Sequence, residues 1–344
     1  MRLNDLTVHV LEGFDDPLIS PERWAAALHT GSTDVVFLTW HWQRAWWDTF
    51  SRGSLLLIAV ERMGEIVALA PLFADEGMIY FVGSGGSDYL DFIGDITEPE
   101  ILDLILHTAR ESVPGFLGFR FYHVPDESRT GALLRAATAR LNFEYFDQGE
   151  LAAPALDFTA PTNGSQATRK KSLQRHENFF RREGSLEVLH LQDGKTIRPH
   201  LKEFFEQHID RWKATASPSL FRDQAKQEFY ENLTDVAAET GWLRFTRLDW
   251  NGRPIAFHFG SCYRGSYLWY KPSFAINLAR RSPGEVLLRQ LLLAAQGENA
   301  RLFDFGLGDE PFKLRFANNV RKVRTWGLYP SSVLPGTNLD QENL

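Results

Sequence analysis

Two tight turns near the C-terminal end of the chain fix how three extended segments must lie. Asn251-Gly252 and Arg264-Gly265 each stand between apolar runs, and Asn-Gly in that setting is the strongest short-range signal for a β-hairpin. The predicted elements in chain order are strands 242–250, 253–263 and 266–274, a helix over 283–296 and a strand over 301–305. An antiparallel meander followed by a helix and a further strand predicts an α/β (α+β) fold.

The first half of the chain repeats this layout. Residues 61–68 match residues 249–256 in pattern, with acid on acid, Gly on Gly and Ala on Ala. We therefore predict two tandem copies of one unit, each a mixed, mostly antiparallel sheet flanked by helices, although any two hairpins with a Gly turn share part of this pattern. The predicted elements of the first half are strand 7–12, a helix capped by Ser20, helix 40–50, strands 54–60, 65–73 and 78–82, helix 99–111, strand 115–123 and helix 130–140.

The length of 344 residues favours two domains, and a basic segment with helical periodicity over 165–182 lies between the two halves. Such a helix presents either a solvated face or a surface for an anionic partner. Two more helices are predicted over 199–214 and 224–239. The predicted domains are 1–160, a basic linker helix and connection over 161–200, a C-terminal domain over 201–335 and a disordered tail over 336–344.

Composition and charge exclude several classes of protein. A net charge of −7 at pH 7 argues against a general nucleic-acid binder, which needs a positive surface. The single cysteine, Cys262, permits no disulfide within the chain, and no His/acid spacing typical of a metal site occurs. We find neither a signal-peptide pattern nor an apolar run of about 20 residues, so we expect a cytoplasmic protein without a membrane span.

The start of the last long helix is the first candidate site. Ser282 is the expected capping residue, and Glu285 stands where it would close a capping box. A helix N-terminus offers free N–H groups to phosphate, Gly284 lets a diphosphate approach the backbone, and Arg280 and Arg281 add positive charge. An ordinary capped helix is the alternative.

The strand before that helix is the second candidate. Trp269, Tyr270 and Lys271 precede Pro272, which ends the ladder of hydrogen bonds. Backbone groups released there are suited to bind amide groups of a ligand or to stabilise an oxyanion. A buried aromatic strand is the alternative.

The loop after the last short strand is the third candidate. Asp304, Gly306, Asp309, Glu310 and Lys313 fall at one strand end, where sites of α/β proteins usually form. Asp309 or Glu310 is suited to take a proton from an attacking group, and Lys313 to hold negative charge. A turn followed by a helix cap is the alternative.

Two weaker candidates complete the set. His258 alternates with Phe257 and Phe259, so it faces away from them, either into a cleft as a base or into the core. Ser87 and Asp88 lie in a Gly- and Ser-rich loop of the first half and are candidates for substrate binding.

These motifs together resemble a known family. The run 251–258, Tyr270-Lys271-Pro272, Ser282-Pro283-Gly284 and the stretch 304–316 are similar to CelD/BcsL-type acetyltransferases of the GNAT superfamily, whose tandem layout is similar to that of the Fem aminoacyl transferases. The match covers roughly 165–320, and the first half resembles the family more loosely through 87–92.

The resemblance implies two GNAT-like folds, with acetyl-CoA or another acyl-CoA bound by the second. It implies that Trp269, Tyr270 and Lys271 line the thioester arm, that 281–284 corresponds to a diphosphate-binding loop, and that Lys313 lies near the acyl group. Through the looser first-half match it adds Tyr89 to the substrate-binding candidates. The chain departs from the family at Val286, where a small residue is usual, and lacks a Tyr in the helix from Pro311.

The resulting functional expectation is an acyltransferase. It would move an acyl group, most simply acetyl, to an amine or hydroxyl of a small molecule, sugar or cell-envelope (polysaccharide) precursor, without a metal. The alternatives are a Fem-like transferase that uses aminoacyl-tRNA, and a non-catalytic module that binds a saccharide or a partner. A nucleic-acid partner is not expected, and the acceptor and oligomeric state stay open.

Overall fold

The computed structural model describes residues 5–160, 167–213, 215 and 218–331. The chain divides into two compact units: unit 1 comprises the residues up to Ala152 and those from Arg321 onward, and unit 2 runs from Ala153 to Val320. The boundaries predicted at 160 and 200 do not coincide with this division, because the last strand of the chain pairs within unit 1. The predicted tail over 336–344 lies outside the described residues.

Unit 1 is a sheet with strand order β1-β2-β3-β4-β6-β13-β7, and the short β5 pairs with β3. Strand β7 passes into unit 2, and β13 begins there. Its strands are β1 (Leu6–Leu11), β2 (Ser54–Arg62), β3 (Glu65–Asp75), β4 (Met78–Phe81), β5 (Ile93–Gly94), β6 (Gly118–Pro125), β7 (Phe143–Asp157) and β13 (Asn319–Pro330). Its helices are α1 (Pro21–Thr30), α2 (Trp40–Phe50), α3 (Pro99–Glu111) and α4 (Thr130–Leu141).

Unit 2 continues from the end of β7 in the order β7-β12-β11-β10-β9-β8. Its own strands are β8 (Leu186–Leu191), β9 (Leu243–Trp250), β10 (Arg253–Tyr263), β11 (Ser266–Phe274) and β12 (Leu302–Asp304). Its helices are α5 (Lys171–Glu183), α6 (Gly194–Ile197), α7 (Leu201–Trp212), α8 (Gln224–Val236), α9 (Pro283–Gly297) and α10 (Pro311–Phe316). The predicted α/β class with mostly antiparallel sheets is confirmed, since β4–β6 and β11–β12 pair in parallel while most neighbouring strands of the described residues pair antiparallel.

The two units share their hairpins residue by residue. Met63-Gly64 and Glu76-Gly77 in unit 1 correspond, at one constant sequence offset, to Asn251-Gly252 and Arg264-Gly265 in unit 2. All eight residues have positive φ, between 48° and 87°, as the type I′ turns of two-residue hairpins require. In each unit a helix, α3 or α9, then connects the two parallel strands.

Helices α5 and α9 cover one face of the unit 2 sheet. Leu173 and Phe180 of α5 pack with Leu287 and Leu291 of α9 in the buried cluster that also contains Phe303 of β12. Each such side chain contributes roughly 1.5–3 kcal/mol through burial. The buried Glu177 joins the two helices by accepting hydrogen bonds from Arg289 and Gln290. This packing fixes the start of α9 beside β11.

Candidate active site

Strands β11 and β12 part after three residues. Ser266, Tyr267 and Leu268 pair with Leu302, Phe303 and Asp304, and β12 then ends. The second half of β11 continues to Phe274, paired with β10 on its other side. Among the described residues, no strand pairs with this half of β11 on the β12 side. The opening between these two parallel strands therefore begins after Leu268, and Pro272 does not end the ladder as predicted, because β11 stays paired with β10 as far as Phe274.

A β-bulge distorts β11 at the opening. Phe259 pairs with Lys271 and Ser261 with Leu268, so Gly260 alone opposes Trp269 and Tyr270. A Cβ on Gly260 would lie 2.3 Å from the Leu268 carbonyl oxygen, which explains the glycine. The bulge turns backbone groups of β11 out of the regular ladder.

His258 lies behind this bulge, fully buried. Its Nε2 is 3.0 Å from the Leu268 carbonyl oxygen and 3.3 Å from the Tyr270 backbone nitrogen, so one tautomer donates to the first and the other accepts from the second. Burial lowers the pKa of His258 to about 3, which keeps the ring neutral. The buried position argues against His258 as a base in an open cleft, and its contacts indicate a role in holding the bulge.

A cavity of about 230 Å³ lies between the second half of β11 and the start of α9. Its walls are formed by Arg211, Trp269, Pro272, Ser273, Phe274, Ala279, Ser282, Gly284, Glu285, Leu288, Phe312 and Arg315. We call it the donor cavity. The Gly284 N–H, in the first turn of α9, has no acceptor in the described part of the chain. A helix N-terminus with an unpaired N–H inside a cavity is suited to an anion.

The predicted capping box at the start of α9 is wrong. Ser282 adopts a left-handed backbone conformation with φ 56°, and its hydroxyl caps no N–H group. Glu285 instead pairs with Arg315 at 2.5 Å and lies 3.5 Å from His176. The first turn is consequently left without a side-chain cap, which favours a ligand there over an ordinary capped helix.

Arg211 is the residue that sequence analysis missed. Its guanidinium stacks over the Phe274 ring at 4.4 Å and donates a hydrogen bond to the Pro272 carbonyl oxygen. Within the described residues no carboxylate lies within 4.0 Å of it. Burial lowers its pKa to about 10, so it stays charged at neutral pH. A half-buried cation without a counter-ion makes the donor cavity a site for an anionic group.

The loop after β12 gathers part of the predicted acid/base cluster. Asp304 is buried and accepts a hydrogen bond from the Gly306 N–H at 2.8 Å, and Gly306 has φ 69°. The buried Lys313 pairs with Glu310 at 2.8 Å and donates to the Leu307 carbonyl oxygen. Asp309 is exposed and has no side-chain partner in the described residues. Lys313 and Asp304 thus hold the loop, while Asp309 and Glu310 keep carboxylate oxygens in solvent.

The remaining predicted residues fall in several places. Trp269 lines the donor cavity and lies 6.3 Å from Phe312 of α10, ring to ring. Tyr270 and Lys271 do not line it, and the Lys271 ammonium stacks on the Tyr270 ring at 3.9 Å. Arg280 and Arg281 lie in a separate groove beside α5.

The first-half candidates belong to unit 1. Ser87 is buried and its hydroxyl accepts a hydrogen bond from the Trp42 indole N–H at 2.9 Å. The Tyr89 hydroxyl lies 3.2 Å from Arg321, and Asp88 is half-buried beside them in sequence. These contacts explain the positions of Ser87 and Tyr89 by packing within unit 1.

The described residues contain no group of three or more His, Cys, Asp or Glu side chains placed to hold a metal ion. Over the same residues, every helix is too short or too polar to cross a lipid bilayer.

Comparisons with known proteins bear on the second unit and on the fold. Residues 167–314 match the model of a family described as acetyltransferase (GNAT) domain, and this segment covers most of unit 2. A comparison with curated proteins finds no match.

Solved structures share the fold across nearly the whole chain. The crystal structure of FemX has a TM-score of 0.64 at 12% identity and covers 90% of this chain and 96% of its own. A conserved protein of unknown function from Bacteroides thetaiotaomicron VPI-5482 has a TM-score of 0.60 at 15% identity, covering 94% and 100%. The structure of L-PGS from Bacillus licheniformis has a TM-score of 0.57 at 16% identity, covering 90% and 91%. At these identities the similarity establishes the fold.

Proposed function

We propose that the chain is an acyl-CoA-dependent acyltransferase whose catalytic unit is unit 2. One observation carries the proposal: β11 and β12 part beside a cavity suited to an anion, at the uncapped start of α9. The acetyltransferase (GNAT) domain match over 167–314 supports it. The finer resemblance to CelD/BcsL-type acetyltransferases and the cytoplasmic location belong to this proposal as well.

The donor cavity is suited to the diphosphate of the donor. The Gly284 N–H and the positive end of α9 point to one anionic group, and Arg211 supplies a charged fork that binds phosphate oxygens. Trp269 and Phe312 form an apolar wall for the arm that follows. The amide groups of the pantetheine arm would then pair with the free side of β11, as an additional strand does.

The reaction is direct transfer within a ternary complex. The amine or hydroxyl of the acceptor attacks the thioester carbonyl carbon, and a backbone N–H of β11 beside the bulge stabilises the oxyanion. The C–S bond then breaks, the thiolate leaves, and the proton of the acceptor passes to solvent or to Glu310 or Asp309. Positioning supplies much of the rate.

We propose a small molecule, a sugar or a polysaccharide precursor as acceptor. We propose no metal for this step, in which the amine or hydroxyl of the acceptor attacks directly and its proton passes to solvent or to a carboxylate.

Aminoacyl transfer from tRNA is the second candidate function. The basic helix α5 favours it, since polyanions bind through such surfaces. The net charge of −7 opposes it. A third alternative, a non-catalytic module, rests on the departures at Val286 and in α10.

Calorimetric titration with acetyl-CoA tests the donor. We expect binding by the wild type and about tenfold weaker binding by Arg211→Gln, because a hydrogen bond to a charged group contributes about 1.5–3 kcal/mol. Arg222→Gln removes a charge elsewhere in unit 2, from a side chain that is more exposed than Arg211, and should bind as the wild type does.

Thiol release from acetyl-CoA over a panel of amine and sugar acceptors then tests catalysis. Failure of acetyl-CoA and of longer acyl-CoAs to bind would exclude the proposal. Two results together would favour the non-catalytic module. The first is binding of acyl-CoA without thiol release for any acceptor, and the second is an unchanged cellular phenotype for Glu310→Ala and Lys313→Ala.

A further inference from the structure

A second cavity of unit 2 lies outside the donor cavity. It is a groove of about 600 Å³ between α5 and the segment that precedes α9. We call it the basic groove, and it is lined by Lys171, Gln174, Arg175, His176, Asn178, Phe179, Arg182, Arg280 and Arg281. No acidic residue is among these lining residues. In a chain with a net charge of −7, this is a local reversal of charge.

Most of these cations are not neutralised. Arg182 pairs with Glu183 at 2.7 Å, but Lys171, Arg175, Arg280 and Arg281 have no carboxylate within 4.0 Å in the part of the chain that the structure describes. Like charges held together cost free energy unless an anion joins them. The groove is therefore prepared for a ligand that carries several negative charges.

Packing against an aromatic ring orders part of the wall of the basic groove. Arg281 stacks over the Phe179 ring at 4.3 Å, which fixes its guanidinium against α5. Lys171, Arg175 and Arg182 recur on one face of α5 at near-helical spacing, spread over about 16 Å at 1.5 Å per residue. Gln174 and Asn178 add amide groups that can bind the edge of a base.

The basic groove and the donor cavity share a wall. His176 lines the groove, Glu285 lines the cavity, and the two side chains lie 3.5 Å apart. Arg281 of the groove also precedes Ser282 of the cavity directly. If the diphosphate of a ligand lies at Gly284, the part of the ligand beyond that diphosphate therefore extends into the groove. No residue of β11 lines the groove, so it is remote from the thioester end.

We propose that the basic groove binds the 3′-phosphorylated nucleotide end of the acyl-CoA donor. This inference rests on the proposed function and adds the part of the donor that sets affinity and selectivity. A phosphomonoester carries close to two negative charges at pH 7, and its three oxygens accept bonds from several guanidinium groups at once. The chain would then select CoA over donors that lack the 3′-phosphate.

Calorimetric titration of the full chain with CoA and with 3′-dephospho-CoA tests the inference. We expect CoA to bind at least about tenfold more tightly, from hydrogen bonds to a charged group. Arg175→Gln and Arg280→Gln should each weaken CoA binding about tenfold and 3′-dephospho-CoA binding less than about threefold. Adenosine 3′,5′-bisphosphate should bind the wild type and compete with CoA. Arg222→Gln is the matched control for loss of one exposed charge and should change neither affinity.

The outcomes separate this inference from the proposed function. Equal affinity for CoA and 3′-dephospho-CoA would overturn the inference while leaving the acyl-CoA donor in place. If no acyl-CoA binds, and tRNA binds in a salt-sensitive way that Arg175→Gln abolishes, the groove serves RNA and both proposals fail. Loss of CoA binding in Arg222→Gln as well would show that overall charge, and not the groove, controls affinity, which also overturns the inference.

Discussion

The two units contain the same pair of parting strands, and the residues around the parting differ. In unit 1, β4 and β6 pair through Met78 and Ile79 and then separate, as β11 and β12 do in unit 2. Three aromatic rings of unit 1 pack together beyond that point: Phe92 lies 5.0 Å from Phe81 and 5.3 Å from Phe121, ring to ring. In unit 2 the equivalent position leads to the donor cavity.

The helices that connect the parting strands, α3 and α9, also differ in the charge at their N-terminal ends. Helix α3 starts after Glu98, whose carboxylate binds Arg62 through both oxygens. Helix α9 starts with Pro283 and Gly284 and has no acid before its first turn. The Glu98 carboxylate makes no capping hydrogen bond to α3, but it adds negative charge at that helix start, which would repel an anion. The comparison shows one fold, present twice, with an acid before the connecting helix in one copy and a cavity at the start of that helix in the other.

Removing the Phe92 ring of unit 1 should have the largest effect on stability among these predictions. Phe92→Ala should lower the free energy of unfolding by about 3–5 kcal/mol, because a buried ring is lost and a cavity remains. Affinity for CoA, measured on protein that is still folded, should stay unchanged. Urea denaturation and calorimetry measure the two quantities. A fall in affinity with unchanged stability would show that unit 1 also binds the donor.

Acidification should act with opposite sign on two buried histidines of unit 2 and on one buried carboxyl group of unit 1. Burial lowers the pKa of His208 and His258 in unit 2 to about 3 from 6.5, so the unfolded chain binds protons that the folded unit does not as the pH falls below 6.5. Each histidine then costs about 1.4 kcal/mol per pH unit until its folded pKa is reached.

Asp91 of unit 1 behaves in the opposite way. Burial raises its pKa above the ordinary 3.8, against hydrogen bonds from Thr33 and Thr130, so the folded unit takes up a proton first and gains stability as the pH falls towards 3.8. Hydrogen exchange, corrected for intrinsic rates and followed in each unit between pH 7 and 4.5, measures the difference. His258→Gln should reduce the acid sensitivity of unit 2, and unchanged sensitivity in this variant would contradict the assignment.

A substitution can give the start of α9 a negative charge like that of Glu98 at the start of α3. Gly284→Asp places a carboxylate in the first turn of α9, so CoA affinity should fall tenfold or more by repulsion. Stability should change by less than about 1 kcal/mol, because an acid at a helix N-terminus is favourable. Gly284→Asn is the uncharged control. Unchanged CoA affinity in Gly284→Asp would remove the helix start from the donor site.

The smallest effect concerns Ser282. Its φ of 56° is a left-handed conformation that is unfavourable for a residue with a side chain. Ser282→Gly should raise the free energy of unfolding by up to about 1 kcal/mol, offset by the greater freedom of Gly in the unfolded chain. Thermal denaturation measures this, and destabilisation would indicate that the Ser282 hydroxyl has a structural role.

Much of the fold follows from local patterns. The limits of α2, α3, β10 and β11 agree with the predicted ranges, and Ser20 caps α1 as expected, with its side chain accepting from the Arg23 N–H. Strong hairpin turns and amphipathic periods are local signals, which is why they are legible without tertiary information. The helix predicted over 165–182 begins at Lys171 where it is described, and its first two residues lie outside the described part.

Strands β7, β8 and β13 were not predicted. β7 contains Gly149 and Pro154, and β13 carries Arg321, Lys322 and Arg324, so neither has the apolar alternation of a half-buried strand. In β13, Lys322 and Arg324 pair with Glu150 of β7, and such partners are visible only in three dimensions.

The sequence predicts the backbone elements of the candidate site, but it does not predict the charged side chain that lines it. Gly284, Trp269 and the strand opening follow from the order of elements. Arg211 does not, because nothing in its own helix shows that its side chain reaches Pro272, 61 residues away. The burial of Lys313 and His258 is likewise a result of packing.

The return of β13 to unit 1 sets the order in which the chain can mature during synthesis. Unit 2 is one continuous stretch and can acquire its contacts as soon as Val320 has left the ribosome. The edge of β6 that β13 occupies stays vacant until the last residues are translated. Premature termination after unit 2 would therefore damage the half of the molecule that was made first.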